Sequence, residues 1–178
     1  MNDWHIRAAR TSDIDQIADL ISLSAHQLSQ GYYSREQVDG ALMGVFGVDT
    51  QLIEDQTYFV IEQDGQMLAC GGWSYRATLF GNDNLADRNP RSLDPEKEAA
   101  KIRAFFVHPD HARKGLGKLL LQYCEQCARE AGFSKAELGA TLPGKELYQR
   151  FGYQPGLQVD HLMQNGLYLQ VIPMSKDL

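Results

Sequence analysis

The chain has 178 residues, of which 43% are hydrophobic and 22% charged, and this size and composition favour one folded domain over residues 1–178. Seventeen basic and 23 acidic residues give a formal net charge of −6, which disfavours nucleic acid or an anionic membrane as a partner. The classes of function that remain are a soluble enzyme and a protein that binds a small ligand.

Three features of the sequence bear on its location. No apolar run approaches the roughly 18 residues needed to cross a bilayer. Asp3 and His5 interrupt the amino terminus, where a signal peptide needs a basic stretch and then an apolar core. Three cysteines are an odd number in a chain large enough to fold without disulfides, which fits a reducing compartment. We therefore predict a cytoplasmic protein that does not span a membrane.

The amino-terminal segment predicts a strand followed by two helices. Residues 4–10 alternate as in a strand, and apolar side chains recur every three or four residues over 13–28, which predicts an amphipathic helix. Gly31 is a suitable residue to end that helix. A second, weaker helical pattern covers residues 34–46 and contains glycines that disfavour a helix.

A β-hairpin and a long loop are predicted next. Residues 57–63 and 67–75 are rich in strand-forming side chains, and the Asp64–Gly65 pair between them favours a tight turn. The Gly71–Gly72 pair inside the second strand predicts a bulge or a close approach of two backbones. Turn-forming residues then make 77–97 an inserted loop, which is either a functional lid or a mobile connection.

The remainder of the chain predicts further strands and helices. A strand over 102–107 stops before Pro109, and a long amphipathic helix over 115–131 ends at Gly132. The elements that follow are a strand at 136–140, a short helix at 144–150, and strands at about 157–163 and 167–173. The fold class is therefore mixed α/β of the α+β type.

The segment between the strand at 102–107 and the long helix carries the most specific chemistry. It contains Gly115 and Gly117 at the start of the helix, beside Arg113, Lys114 and Lys118. The first backbone N–H groups of a helix have no partner inside it, and glycines allow a phosphate to approach them closely. The segment lacks both the P-loop spacing and the complete dinucleotide-binding fingerprint. A phosphate-binding loop of another kind is predicted.

Two motifs give the chain a resemblance to the GNAT superfamily of acetyl-CoA-dependent N-acyltransferases. The run Ala112–Gly117 is similar to the family's Q/R-x-x-G-x-G/A motif at both glycines, although alanine stands in place of Gln or Arg. The run Leu147–Tyr153 looks like the family's Y-x-x-x-G-F/Y segment. This resemblance implies a twisted, mostly antiparallel sheet of about six to seven strands flanked by about four helices. It also implies transfer of an acetyl group from acetyl-CoA to a primary amine.

The resemblance further assigns site residues. The strand backbone would pair with the pantetheine arm of acetyl-CoA, and the glycine loop would hold the pyrophosphate. The cofactor-binding residues implied are Phe105, Phe106, Val107, Arg113, Lys114, Gly115, Leu116, Gly117 and Lys118. Tyr148 matches the family's tyrosine and would protonate the departing thiolate as a general acid, the alternative being a packing role. No metal is implied.

The general base is left open by the sequence. In histone-acetylating members of the family a glutamate on this strand is the base, and the matching residue here is Lys101. A lysine is normally protonated near pH 7 and is a poor base. Glu98 or Glu96, just before the strand, could accept the proton through a water, and Glu98 is the candidate catalytic base. Loss of the proton to solvent is the favoured alternative.

The acceptor is predicted from the same strand. Period-two alternation puts Lys101, Arg103 and Phe105 on one face, so that two cations would point toward the cleft and favour a small amine with an anionic group. The net charge of −6 favours cationic polyamines instead. At least as good an interpretation of the two cations is that both side chains reach solvent or pair with Glu96 and Glu98.

Other motifs predict less. Cys124 and Cys127 form a C-x-x-C pair within the long helix, without the second pair that a zinc site needs, and are interpreted as core residues. His108 and His111 are interpreted as loop residues without a third metal ligand. Tyr32 and Tyr33 could contact substrate or lie at the surface.

Two other functions remain as alternatives to a small-molecule N-acetyltransferase. One is a peptide or protein N-acetyltransferase, which would need an open groove. The other is a non-catalytic module that binds acyl-CoA. A homodimer is compatible with each of these functions.

Overall fold

A computed structural model describes residues 3–178. Its strands are β1 (His5–Ala8), β2 (Tyr58–Gln63), β3 (Gln66–Ser74), β4 (Ala100–Val107), β5 (Lys135–Thr141), β6 (Gln154–Pro155), β7 (Val159–Leu162) and β8 (Tyr168–Asp177). Its α-helices are α1 (Ile14–Leu28), α2 (Arg35–Leu42), α3 (Thr50–Glu54), α4 (Leu116–Glu130) and α5 (Lys145–Arg150). Two short 3-10 helices cover Thr11–Asp13 and Pro109–His111.

All eight strands belong to one sheet. Its order is β1-β2-β3-β4-β5-β8-β6, with β7 also paired to β8. Every pair is antiparallel except β4 with β5, which is parallel. The predicted mixed, mostly antiparallel fold is confirmed. Residues 3–178 contain eight strands and five α-helices, where about six to seven strands and about four helices were expected. The additional helix, α3, is only five residues long, too short for a periodic apolar pattern, and it begins where the Asp49 carboxylate accepts the Gln51 N–H at 3.1 Å.

The sheet separates two hydrophobic cores. On one face, α4 and Tyr148 of α5 pack with inward side chains such as Phe59 and Ile102. On the other face, α1, α2 and α3 pack with side chains such as Val60 and Cys70. Neighbouring strand residues such as Phe59 and Val60 therefore enter different cores, as the period of two in a strand requires.

The β2–β3 hairpin and a bulge on β4 confirm two local predictions. Asp64 and Gly65 have φ values of +51° and +79°, which are those of the tight hairpin turn that an Asp-Gly pair favours. Opposite Gly71 the register of β3 and β4 shifts, and β4 gains one residue relative to β3. A β-carbon on Gly72 would lie 2.3 Å from the Thr57 carbonyl oxygen, so this glycine permits a close backbone approach.

The bulge changes which way the β4 side chains point. Ala104 has φ of +53°, and beyond it the alternation of faces is displaced by one residue. Arg103 reaches Asp49 on the side of α3, whereas the Phe105 ring packs on the α4 side, where a β-carbon on Gly71 would lie 2.3 Å from it. The prediction that Lys101, Arg103 and Phe105 share one face is therefore wrong for Phe105.

The β4 and β5 strands separate after a short contact. They pair only at Ala100 with Ala136 and at Lys101 with Glu137, and the Lys101 ammonium forms an ion pair with the Glu137 carboxylate at this last rung. Beyond the rung β5 continues along β8, while β4 continues along β3. A wedge-shaped opening therefore forms between the two parallel strands.

The inserted loop at 77–97 is held in place by a buried arginine. Arg103 is 3% exposed, and its guanidinium donates to the Asp49 carboxylate at 2.9 Å, to the Gly81 carbonyl at 2.7 Å and to the Thr78 carbonyl at 3.2 Å. Asp49, 2% exposed, also accepts from Arg88 within the loop at 2.6 Å. The loop is thus bound to β4 and to the start of α3 through charge-assisted hydrogen bonds.

Asn82 provides a second attachment of the loop. Its side-chain amide donates to the Phe46 carbonyl at 3.0 Å, and its backbone N–H donates to the Gly44 carbonyl at 2.9 Å. The next residue, Asp83, donates from its backbone to Val48 at 3.1 Å. Together with Arg103, these hydrogen bonds attach residues 78–83 to β4 and to the segment between α2 and α3.

We predict that Asp49→Ala lowers the free energy of unfolding by about 3–5 kcal/mol, because it leaves the buried Arg103 cation without a carboxylate. Urea denaturation measures this loss. The control is Arg91→Ala, which removes an exposed ion pair with Glu98 and should cost far less. An equal loss in the two variants would show that the buried pair does not stabilise the fold.

Candidate active site

A cleft of about 460 Å³ lies in the wedge between β4 and β5. On the α4 side it is bounded by residues 112–118 and by α5. On the opposite side it is bounded by α1, by Val45 and Phe46, and by residues 79–81 of the inserted loop. The cleft therefore passes through the sheet and connects its two faces.

The start of α4, at one end of the cleft, has the geometry of an anion-binding cradle, and we call it the anion cradle. Arg113 and Gly115 both have left-handed backbones, with φ of +63° and +99°, and the helix begins at the next residue. The N–H groups of Leu116, Gly117 and Lys118 lie in its first turn, where no acceptor inside the helix is available. The positive end of the helix dipole adds to these donors, so the cradle favours a phosphate group.

Gly117 leaves little room for a side chain. A β-carbon at this position would lie 3.0 Å from Cδ2 of Leu147 on α5, so a branched residue would fill the space between the two helices. Gly115 has open space around it. Glycine is favoured at this position because the backbone is left-handed.

Eight of the nine cofactor-binding candidates line the cleft. These are Phe105, Phe106, Val107, Arg113, Gly115, Leu116, Gly117 and Lys118. Lys114 is exposed and is not among the lining residues. Within residues 3–178, β4 forms no ladder pair with β5 beyond Lys101, although the Tyr58 hydroxyl donates to the Ala104 carbonyl at 2.8 Å. Over residues 105–107 this strand edge is therefore open to the amide groups of an extended ligand.

Tyr148 of α5 is nearly buried in the wall of the cleft. It is 9% exposed, lines the cleft, and packs against the rings of Phe105 and Tyr153 with centroids 6.2 and 5.9 Å away. Its hydroxyl has no hydrogen-bond partner within residues 3–178. Burial raises the pKa of Tyr148, so the hydroxyl stays protonated near neutral pH and is available as a donor.

The structure does not bring Glu98 to the cleft. Its carboxylate pairs with Arg91 at 2.7 and 3.0 Å and accepts the Asp94 N–H at 2.8 Å. Glu98 therefore binds residues of the inserted loop. The Arg91 guanidinium is the main cause that lowers the pKa of Glu98 to about 2. Such a carboxylate has little affinity for a proton near pH 7.

The two cations of β4 are both paired. Lys101 lies at the apex of the wedge with Glu137 and does not line the cleft, and Arg103 lines it but is bound to Asp49. The expectation that two cations point toward the acceptor is therefore wrong, because each is matched by a carboxylate distant in the sequence. The pairing partners also differ from the nearby glutamates considered as the alternative.

Several lining residues were missed by the sequence interpretation. Phe46 was assigned to a helix that in fact ends at Leu42, and Phe80 was part of the loop. An aromatic residue amid turn-forming residues was the one signal for Phe80.

Tyr33, which the sequence placed either against substrate or at the surface, is buried. It is 6% exposed, and its hydroxyl joins β8 to the end of β5 by donating to Gln170 O at 2.6 Å and accepting from Leu142 N at 2.9 Å.

The C-x-x-C pair and His108 occupy structural positions. Cys124 is fully buried, Cys127 is half-buried, and both are free thiols on α4. His108 accepts the Asp110 N–H at 3.2 Å and caps a 3-10 helix. Within residues 3–178, no three His, Cys, Asp or Glu side chains are grouped as a metal site would need, and no helix is long and apolar enough to cross a membrane.

Solved structures with this fold cover nearly the whole chain. A GCN5-related N-acetyltransferase (aminotransferase, class-II) from Rhodopseudomonas palustris aligns with a TM-score of 0.72 and 19% identity over 100% of this chain and 98% of that one. An acetyltransferase of Salmonella typhimurium, solved with its cofactor acetyl-CoA, aligns with a TM-score of 0.65 and 20% identity over 99% and 95%. The Drosophila melanogaster polyamine N-acetyltransferase, which forms N-acetylagmatine, aligns with a TM-score of 0.63 and 14% identity over 99% and 100%.

Comparison at the level of sequence identifies the family. Against curated proteins the sequence gives no match. The profile of the acetyltransferase (GNAT) domain matches residues 54–155, which is more than half of the chain and includes the anion cradle, the wedge and Tyr148. The chain therefore belongs to the GNAT family of acetyltransferases.

Proposed function

We propose that this protein transfers the acetyl group of acetyl-CoA to a primary amine of a small molecule. The observation that carries the proposal is one continuous cleft that joins a phosphate cradle, an open strand edge and a protonated tyrosine. Family membership and the acetyl-CoA bound to the Salmonella relative support the choice of donor.

The residues present fit the donor in its three parts. The first turn of α4, with Arg113 and Lys118 beside it, would hold the pyrophosphate. The free edge of β4 over residues 105–107 would pair with the amides of the pantetheine arm. The thioester supplies the carbon that the amine nitrogen attacks, so that an N–C bond forms, the C–S bond breaks, and an N-acetylamine and free CoA result.

Tyr148 acts as the general acid in this proposal. Its protonated hydroxyl gives a proton to the departing sulfur, and the resulting tyrosinate takes a proton back from solvent, which has received one from the amine nitrogen. The amine loses that proton to solvent, because the pKa of Glu98 is about 2 and its carboxylate is held by Arg91 away from the cleft.

A small acceptor is favoured over a peptide or a protein. The inserted loop is fastened by Arg103 and Asn82, so residues 79–81 form a fixed wall over the acceptor side of the cleft. A peptide groove would need this wall to move.

A single domain and a cytoplasmic location remain predictions from the sequence, and we propose no particular oligomer.

The proposed function is tested by release of free thiol from acetyl-CoA. Purified protein is incubated with amino acids, polyamines, simple monoamines and peptide amino termini, and the acetylated product is identified by mass spectrometry. Turnover of a small amine is expected. Tight binding of acetyl-CoA without turnover of any amine would favour the non-catalytic module.

We predict that Gly117→Val abolishes binding of acetyl-CoA, since the added side chain occupies the space next to Leu147 where the phosphate must reach the helix N–H groups. Isothermal titration calorimetry measures the affinity. Gly44→Val is the matched control, because its β-carbon meets only a side-chain nitrogen at 3.6 Å and lies outside the cleft. Unchanged affinity in folded Gly117→Val would refute the cradle.

We predict that Tyr148→Phe lowers kcat by roughly 10²-fold and leaves the Kd for acetyl-CoA unchanged, since the hydroxyl acts on the leaving group and not on the bound donor. Steady-state kinetics with the best acceptor measures kcat, and calorimetry measures Kd. Tyr123→Phe, at an exposed position on α4 outside the cleft, is the control. An unchanged kcat would leave Tyr148 with a packing role only.

We predict that Glu98→Gln leaves the pH profile of kcat/KM unchanged. A carboxyl with a pKa of about 2 is ionised throughout the neutral range, so its titration cannot produce an acidic limb there. The limb should instead follow the pKa of the acceptor amine in both proteins and should shift when amines of different pKa are compared. Loss of the limb in Glu98→Gln would identify Glu98 as the base.

A further inference from the structure

The acceptor end of the cleft has a chemistry of its own, and the inference drawn from it rests on the proposed function. We define the acceptor end by Ser24, Leu28, Ser29, Phe46, Phe80 and Arg103. Leu28 belongs to α1, and Phe46 belongs to the core on the face opposite α4. A donor whose phosphates lie at the start of α4 therefore leaves this end of the cleft for the amine.

The walls of the acceptor end are mainly aliphatic and aromatic. Phe46 packs edge-to-face on Phe106, with ring centroids 5.7 Å apart. Phe80 packs edge-to-face on His161 at 5.2 Å and lies over β5, where a β-carbon on Gly139 would be 3.3 Å from the ring. When apolar groups of a ligand move out of water into the space between these rings, they are stabilised in proportion to the area that they bury.

The polar groups at this end carry no free charge. Ser24 and Ser29 contribute neutral hydroxyls, which suit hydrogen bonds with an uncharged amine. Within residues 3–178, Arg103 is the one formally charged side chain that lines the acceptor end, and Asp49 and two carbonyls already accept its hydrogen bonds. A second charge on the ligand would lose water there without gaining a partner, which is unfavourable.

We propose that the acceptor is a primary amine with an apolar carbon skeleton and no second charged group, and that Phe80 selects it. This assignment replaces the anionic amine expected from Lys101 and Arg103. It also separates this chain from the Drosophila relative, whose product is N-acetylagmatine. Arg103 acts as a positioning residue, because the carbonyls that it binds, at Thr78 and Gly81, flank Phe80.

Two matched pairs of amines test the acceptor. Hexylamine is compared with 1,6-diaminohexane, which adds a second cation at the far end of the same chain. 2-Phenylethylamine is compared with phenylalanine, which adds a carboxylate. We expect kcat/KM to be about tenfold or more higher for the singly charged member of each pair. Equal or higher values for 1,6-diaminohexane or phenylalanine would overturn the proposal.

Variants at position 80 test the role of the ring. Phe80→Ala should lower kcat/KM for hexylamine and 2-phenylethylamine by about tenfold or more, with the Kd for acetyl-CoA unchanged, and Phe80→Leu should retain most of the activity. Phe80→Glu should shift the preference toward 1,6-diaminohexane, a change that loss of stability alone would not produce. Leu162→Ala, at an exposed position on β7, is the control for a surface substitution. An unaltered preference in folded Phe80→Ala and Phe80→Glu would remove Phe80 from the proposal.

The outcomes distinguish this inference from the proposed function. A protein that binds acetyl-CoA and acetylates 1,6-diaminohexane at least as well as hexylamine keeps the acetyltransferase function and loses the apolar acceptor. A protein that binds no acetyl-CoA, or that binds it and acetylates no amine, loses both.

Discussion

The short pairing of two parallel strands determines where this protein can bind a ligand. β4 and β5 share two rungs and then separate, so one side of β4 has unpaired backbone groups inside the sheet. The start of α4 lies at one end of this opening and the inserted loop at the other. A continuous sheet would have closed the passage between the two faces.

The β4 bulge adapts the strand to this opening. Without the extra residue at Ala104, strict alternation would put Phe105 on the same side as Arg103 and would leave the α4 side without its ring. Gly71 on the neighbouring strand makes room for Phe105, and Gly72 separately allows the Thr57 carbonyl to approach β3 from the side of β2. The sequence predicted a bulge or close approach at these glycines but not its effect on the direction of side chains.

Local signals predicted the fold and the glycine-dependent turn at the start of α4, and contacts between distant residues were not accessible to them. The Asp64–Gly65 turn and the glycines at the start of α4 depend on backbone preferences within a few residues. Arg103 and Asp49 are 54 residues apart, and no pattern in either neighbourhood indicates that they meet. The same separation of partners explains why the sequence assigned free cations to the acceptor side.

The way in which the inserted loop is fastened has a consequence for moving it into another protein. Its carbonyls at Thr78 and Gly81 are bound by an arginine on β4, and that arginine requires an aspartate at the start of α3. The shape of the acceptor wall is thus encoded in three separate segments of the chain. Transfer of residues 77–97 alone to another protein would bring the loop without its anchors, so we expect the loop to keep this shape only where Asp49 and Arg103 accompany it.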